Sequence, residues 1–191
     1  MRRILIIAAL PLAIAAANAH AQTSAAQPKG AGASISPQTT DFIAKMAATD
    51  AFERDAGRLA EKRSGNADIR AFGGMMVKDH TQTTNQLRDV LVKDRLPVPQ
   101  SPTPNPEQAK LLADLTAAPK ASFDKAYTHS QVVAHQMAVD VIQGYMDHGD
   151  NPDLKTLASA ARPLVQHHLD MALKLEGQAG GPPKSLTRKE D

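Results

Sequence analysis

The stretch NADIRAFGGMMVKDHTQTTNQLRDVLVKDRLP, residues 66–97, decides the fold. Asn66 is a residue type whose side chain accepts the free N–H groups at a helix start, and Pro97 cannot continue a helix. Between them Ile69, Phe72, Met76, Leu87 and Leu91 fall on one stripe at helical period, the pattern of a face that meets a core. The spacing predicts a helix from Asn66 to about Arg95. One residue breaks its apolar face: at about 100° per residue, His80 lies between Met76 and Leu87.

Working outward, the same period recurs three times. Ser36-Pro37 is a helix-start signal. A helix over about Gln38–Arg63 carries Phe42, Met46, Ala56 and Ala60 on one stripe and stops at Ser64-Gly65. Pro97, Pro99, Pro102, Pro104 and Pro106 make a stiff crossover, followed by a short extra helix over Glu107–Thr116. A third long helix, Ser122–His148, carries Phe123, Tyr127, Ala134, Met137, Val141 and Tyr145. Gly149-Asp150-Asn151-Pro152 ends it and opens a fourth, running to about Leu175, with Leu154, Leu157, Ala158, Ala161, Val165, Ala172 and Leu175. Pro163 lies off that last stripe, on the outer face. Four amphipathic helices of similar length bury their stripes best against one another, which predicts an all-α, up-down four-helix bundle over residues 38–176.

Four ionisable residues interrupt the stripes. Glu53 falls between Phe42, Met46 and Ala60, and His80 has been placed above. His168 lies among Ala161, Leu164, Ala172 and Leu175, and His135 flanks the third stripe near Val139 and Ile142. Each sits near the midpoint of its helix, so in an antiparallel bundle all four meet in one polar layer. A buried ionisable group without a partner costs several kcal/mol, so the four are expected to serve one another. Two readings stay open: a hydrogen-bonded network that fixes helix register, or a transition-metal site, since imidazole and carboxylate suit Zn, Fe, Ni or Cu. Met46, Met75, Met76, Met137, Met146 and Met171 would add soft copper ligands, but methionine is ordinary filler in helical cores. His129, His148 and His167 fall on outer faces or ends. Asp79 points about 100° away from His80 and reads as a surface charge or a supporting partner, surface being the preferred reading.

The ends of the chain carry a different message. Met1-Arg2-Arg3, the apolar run Ile4–Ala17 and Ala19-His20-Ala21 form the pattern of a secretory signal peptide over residues 1–21, with Gln22 as the first mature residue. Export to the periplasm follows, with outer-membrane association as the alternative. Without Arg2 and Arg3 the 22 Lys and Arg become 20, equal to the 20 Asp and Glu, so no charge points to nucleic acid. There is no cysteine, which excludes disulfides and thiolate ligands. No later segment approaches the roughly 20 apolar residues of a membrane helix. Residues 22–37 read as a flexible leader and 177–191 as a disordered tail.

Met76-Val77-Lys78-Asp79-His80-Thr81 with Asn85 and Leu87 resembles the "MVxDHxxxNxxL" stretch of an exported bacterial family called domain of unknown function 4142. Glu53 with Gly57-Arg58-Leu59-Ala60, Phe123-Asp124-Lys125-Ala126-Tyr127 with His135, and Leu154-Lys155, Pro163-Leu164 and His168-Leu169 are similar to its other hallmarks. They run in family order from about Asp41 to Leu175. The resemblance implies a ferritin-like four-helix fold and no assigned reaction. Di-iron proteins of that fold place Glu three residues before each ligand histidine. Here those positions are Val77, Val132 and Val165, so only Glu53 supplies an acid at the expected layer. Ala134 stands where the family often has Asp before the third-helix histidine.

No nucleophile–base pair, phosphate loop or paired acids occur, so a non-enzymatic binding or stress-related module is favoured over an enzyme. The alternative is a mononuclear Zn, Fe or Cu protein with Glu53, His80, His135 and His168 as ligands; a di-iron oxidase comes third. A homo-oligomer stays open.

Overall fold

Four of the five helices begin where a side chain caps them; the helix over Lys120–His148 instead opens directly after Pro119. Ser36 accepts the Thr39 N–H, and Pro37 follows it at the first helical position. Asn66 Oδ1 accepts from Asp68 and Ile69, Asn105 forms a reciprocal box with Gln108, and Asn151 accepts from Leu154. The computed structural model describes residues 35–179. They form α1 (Pro37–Arg63), α2 (Ala67–Lys93), α3 (Pro106–Ala117), α4 (Lys120–His148) and α5 (Pro152–Gln178), with no strand among the described residues. The expected signal peptide lies outside the described residues, as do the expected leader up to Ser34 and the expected tail from Gly180. Ile35 packs on the core, and Gly177 and Gln178, read as the start of the tail, continue α5.

Two further boundaries differ from the sequence reading by two residues. The second helix stops at Lys93 rather than Arg95. Arg95 takes a left-handed backbone (φ 57), which lets the Leu96 N–H return to the Leu91 carbonyl. The third long helix opens at Lys120, two residues early, directly after Pro119.

End contacts fix the directions. At one end Phe42 of α1 stacks on Tyr145 of α4, ring centroids 4.0 Å apart. At the other, the Arg63 guanidinium sits 4.7 Å over the Phe123 ring and donates to carbonyls of Leu115, Thr116 and Ala118. So α1 and α4 are antiparallel. Lys93 at the end of α2 pairs with Asp153 at the start of α5, so those two are antiparallel as well. Helix α1 packs on α2 and α4, and α5 packs on the same two, which puts α2 and α4 on a diagonal. They run in the same direction. The proline-rich segment and α3 carry the chain back along the bundle between them, and α3 rests on α1 and α4. Up and down therefore alternate between neighbours in space, while along the sequence the order is up, down, down, up.

The core follows the predicted stripes, with Ala56, Met76, Leu91, Phe123, Tyr127, Leu154 and Ala172 all buried. On α4, however, Ala138, Val139 and Ile142 are buried where the stripe predicts Met137 and Val141, and Leu157 of α5 is only partly buried. Among the described residues no helix is long and apolar enough to cross a membrane. The α1–α2 contact is the closest. A Cβ on Gly57 would stand 2.6 Å from the Gly73 carbonyl oxygen, and one on Gly73 would stand 2.8 Å from both Gly57 O and Ala60 Cβ. These are backbone obstacles that cannot rotate away. Gly57→Ala is expected to cost about 1–3 kcal/mol, the usual size of an overpacking strain, measured as a lowered denaturation midpoint with unchanged slope. An unchanged midpoint would show that the two helices can part freely.

Candidate metal centre

The predicted layer exists. Glu53 of α1, His80 of α2, His135 of α4 and His168 of α5 are each 3% exposed or less. Each helix contributes one of them because each interrupts a core stripe near mid-helix. The three imidazoles surround one point. Their ring centroids are 5.8 Å apart for His80–His135, 5.6 Å for His80–His168 and 5.4 Å for His135–His168. One ring nitrogen of each lies within 4.8 Å of the other two.

Each ring is held from behind by its other nitrogen. His80 Nδ1 is 2.8 Å from Asp50 Oδ1, His135 Nδ1 is 2.9 Å from the Gln131 carbonyl, and His168 Nε2 is 3.1 Å from Asp79 Oδ2. An N–H at each of these positions donates to its acceptor, which fixes the tautomer. His80 Nε2, His135 Nε2 and His168 Nδ1 are left buried without a hydrogen-bond partner. Three lone pairs thus face one another, each oriented by an acceptor behind its ring, the relation that metal-binding imidazoles almost always show. Three imidazoles on one ion, with metal–nitrogen bonds of about 2.0–2.1 Å, would set their centroids roughly 5–5.5 Å apart, close to the spacing here.

Sequence reasoning missed Asp50 and misjudged Asp79. Asp50 sits one turn before Glu53 on α1, with its side chain 3% exposed. It accepts from His80 and from the Thr83 hydroxyl at 2.7 Å, and the Thr84 hydroxyl lies 3.0 Å from its other oxygen. Arg54 completes this corner, donating to Thr84 Oγ1 at 2.6 Å and to the His80 carbonyl. Asp79 does point away from His80, but toward α5, where it holds His168; the preferred surface reading is corrected accordingly. His129, His148 and His167 are exposed.

Glu53 is in the layer but outside the three-nitrogen group. Its Oε1 lies 3.5 Å from His135 Nδ1, and neither of its oxygens has a hydrogen-bond partner. Burial pushes its carboxyl up to about 7 against the opposing pull of the His80 charge and the Gln131 amide, with the Asp50 charge adding to the rise. Burial would lower His80, but the hydrogen bond to Asp50 and the charges of Glu53, Asp50 and Asp79 raise it above its usual value. Burial and the charge of His80 hold His135 well below its usual value and bring His168 down to about 4.

A pH dependence follows for the metal-free protein. His135 and His168 resist protonation when folded but titrate near pH 6.5 when unfolded. Their contribution is complete above pH 6.5 and is lost as pH falls toward about 4. Glu53 acts with the opposite sign between its folded value of about 7 and its unfolded value of 4.5, and His80 with the opposite sign above 6.5. Below pH 6.5 two imidazoles oppose one carboxyl, so the melting temperature is expected to fall on acidification. Glu53→Gln should steepen that fall. Melting curves between pH 4 and 7 in the presence of chelator would show it, and a melting temperature that rises toward pH 4 would contradict it.

Taken together, the molecule is an all-α four-helix bundle with a histidine cluster buried at its waist. Its chain matches, over residues 22–175, the family described as Domain of unknown function (DUF4142), and it belongs to that family. Among solved structures it is similar to the crystal structure of a DUF305 fragment from Deinococcus radiodurans, with a TM-score of 0.64 and 18% identity. The match covers 75% of this chain and 97% of the other, a likeness of fold. No curated protein matches the chain.

Proposed function

We propose that the protein is a mononuclear transition-metal-binding protein whose ligands are His80, His135 and His168, with Glu53 beside them. The observation that carries this reading is the set of three buried, unpartnered ring nitrogens that face one another, each on a ring anchored from behind. A purely structural network would have the imidazoles bonded to one another. Instead, among the described residues, each bonds outward, to Asp50, Gln131 or Asp79. Neutral imidazoles with a nearby carboxylate suit zinc, copper(II) or iron. The buried carboxylates Glu53, beside the cluster, and Asp50, behind His80, favour a divalent charge on the three imidazoles. Five of the six methionines serve the core: Met46 and Met76 lie within it, and Met75, Met146 and Met171 pack against it. Read with the export signal, the protein would take up its metal in the periplasm.

The test is elemental analysis of the purified protein after loading with zinc or copper and exhaustive dialysis. Wild type is expected to retain one ion per chain and His80→Ala none, with a folded far-UV spectrum in both. Equal retention by the two proteins would defeat the assignment.

A further inference from the structure

Beside the three histidines lies a second group of buried polar atoms that nothing in the fold accounts for. Glu53 Oε1 and Oε2, Gln131 Oε1 and Nε2, and the Tyr127 hydroxyl are all buried and all lack hydrogen-bond partners. Tyr127, Gln131 and His135 follow one another at four-residue steps on α4, so they line one face of that helix. Glu53 faces them from α1. Buried polar groups are rarely left unbonded, and Glu53, 3.5 Å from His135 with the Gln131 amide beside it, calls for a polar guest at this level. Tyr127 also packs its ring between Phe72 and Phe123, so its hydroxyl is held in position by apolar neighbours.

The coordination arithmetic points to the same guest. Three histidines supply three bonds, and Glu53 is not among the mutually close ligand atoms. Structural zinc sites are filled by four protein ligands, whereas reactive sites keep three and leave one position for solvent or substrate. We propose that the fourth position of this centre is taken by an exchangeable water or hydroxide, held between the ion and the Glu53, Gln131 and Tyr127 side chains. This rests on the metal reading above. A metal-bound water has spent a lone pair on the ion and has two protons to give. Glu53 accepts one, and Gln131 Oε1 or the Tyr127 oxygen accepts the other. A bound divalent ion would acidify such a water, and Glu53 stands 3.5 Å from His135 Nδ1 as the acid nearest to it. The centre is then of the open, reactive kind, and the small ligands it admits are those that replace water.

The experiment is pulsed electron paramagnetic resonance of the full mature chain loaded with copper(II), in ordinary and in ¹⁷O-enriched water, for wild type and Glu53→Gln. Wild type is expected to show the remote-nitrogen signals of three imidazoles and a strong ¹⁷O coupling from a directly bound oxygen. Glu53→Gln is expected to keep both. Imidazole signals without ¹⁷O coupling in wild type, with the coupling appearing only in Glu53→Gln, would show that the Glu53 carboxylate itself fills the fourth position and would overturn the proposal. Absence of imidazole signals in wild type would overturn the metal reading and the proposal with it.

Discussion

Zinc added to the metal-free protein is expected to raise its melting temperature by roughly 10 °C or more. The folded chain presents three oriented ring nitrogens, and the unfolded chain presents none in register, so nearly all the binding free energy becomes folding free energy. At free metal about 1,000 times the dissociation constant, that contribution is about 4 kcal/mol, and a domain of this size gains roughly 2–4 °C per kcal/mol. His168→Ala should abolish the shift. The shift should also shrink on acidification, because His80, whose affinity for protons is raised by Asp50 and Glu53, must lose its proton before Nε2 can bind an ion. Scanning calorimetry with and without chelator measures all three. A shift of under a degree in wild type at saturating zinc would show that the cluster does not bind it.

The second large effect concerns Asp50. Asp50→Ala is expected to destabilise the metal-free protein by about 3–5 kcal/mol, the usual cost of removing one partner of a buried ion pair. The truncation leaves His80 Nδ1 and the Thr83 hydroxyl without their acceptor and the His80 charge without its counter-charge. Glu53→Leu should do the opposite in the same protein. For Glu53 the cost of burial outweighs the pull of the His80 charge and the Gln131 amide, so stability should be unchanged or higher. Two acids one helical turn apart would then differ in sign. Urea denaturation of both variants in chelator decides it, and equal losses would show that Glu53 is as firmly bonded as Asp50.

That contrast marks the limit of what the chain makes legible. The caps at Ser36, Asn66 and Asn151 and the four stripes are local signals, and each can be read from a single helix. So can the intrusion of Glu53, His80, His135 and His168 into those stripes, because a polar residue at a core position is conspicuous on its own wheel. The partners that orient the imidazoles are not local. Asp79 looks like a surface charge on the wheel of α2, and only the packing of α5 against that edge makes it the anchor of His168. Asp50 had a readable signal, an acid one turn before Glu53 on the same face. The di-iron pattern, with an acid three residues before each histidine, does not point to it, because Asp50 lies on a different helix from His80. The division of labour between three ligand histidines and a separate Glu53 also depends on side-chain direction, which a wheel does not carry. The diagonal placement of α2 and α4 depends on the path of the crossover, and hydrophobic period says nothing about that path.

The central claim is that three imidazoles hold one ion at the waist of this bundle. The X-ray absorption spectrum of the zinc-loaded protein at the zinc edge tests it most directly. The predicted spectrum has a first shell of light atoms at about 2.0–2.1 Å and the outer-shell scattering of three imidazole rings. A first shell with no imidazole scattering behind it would contradict it.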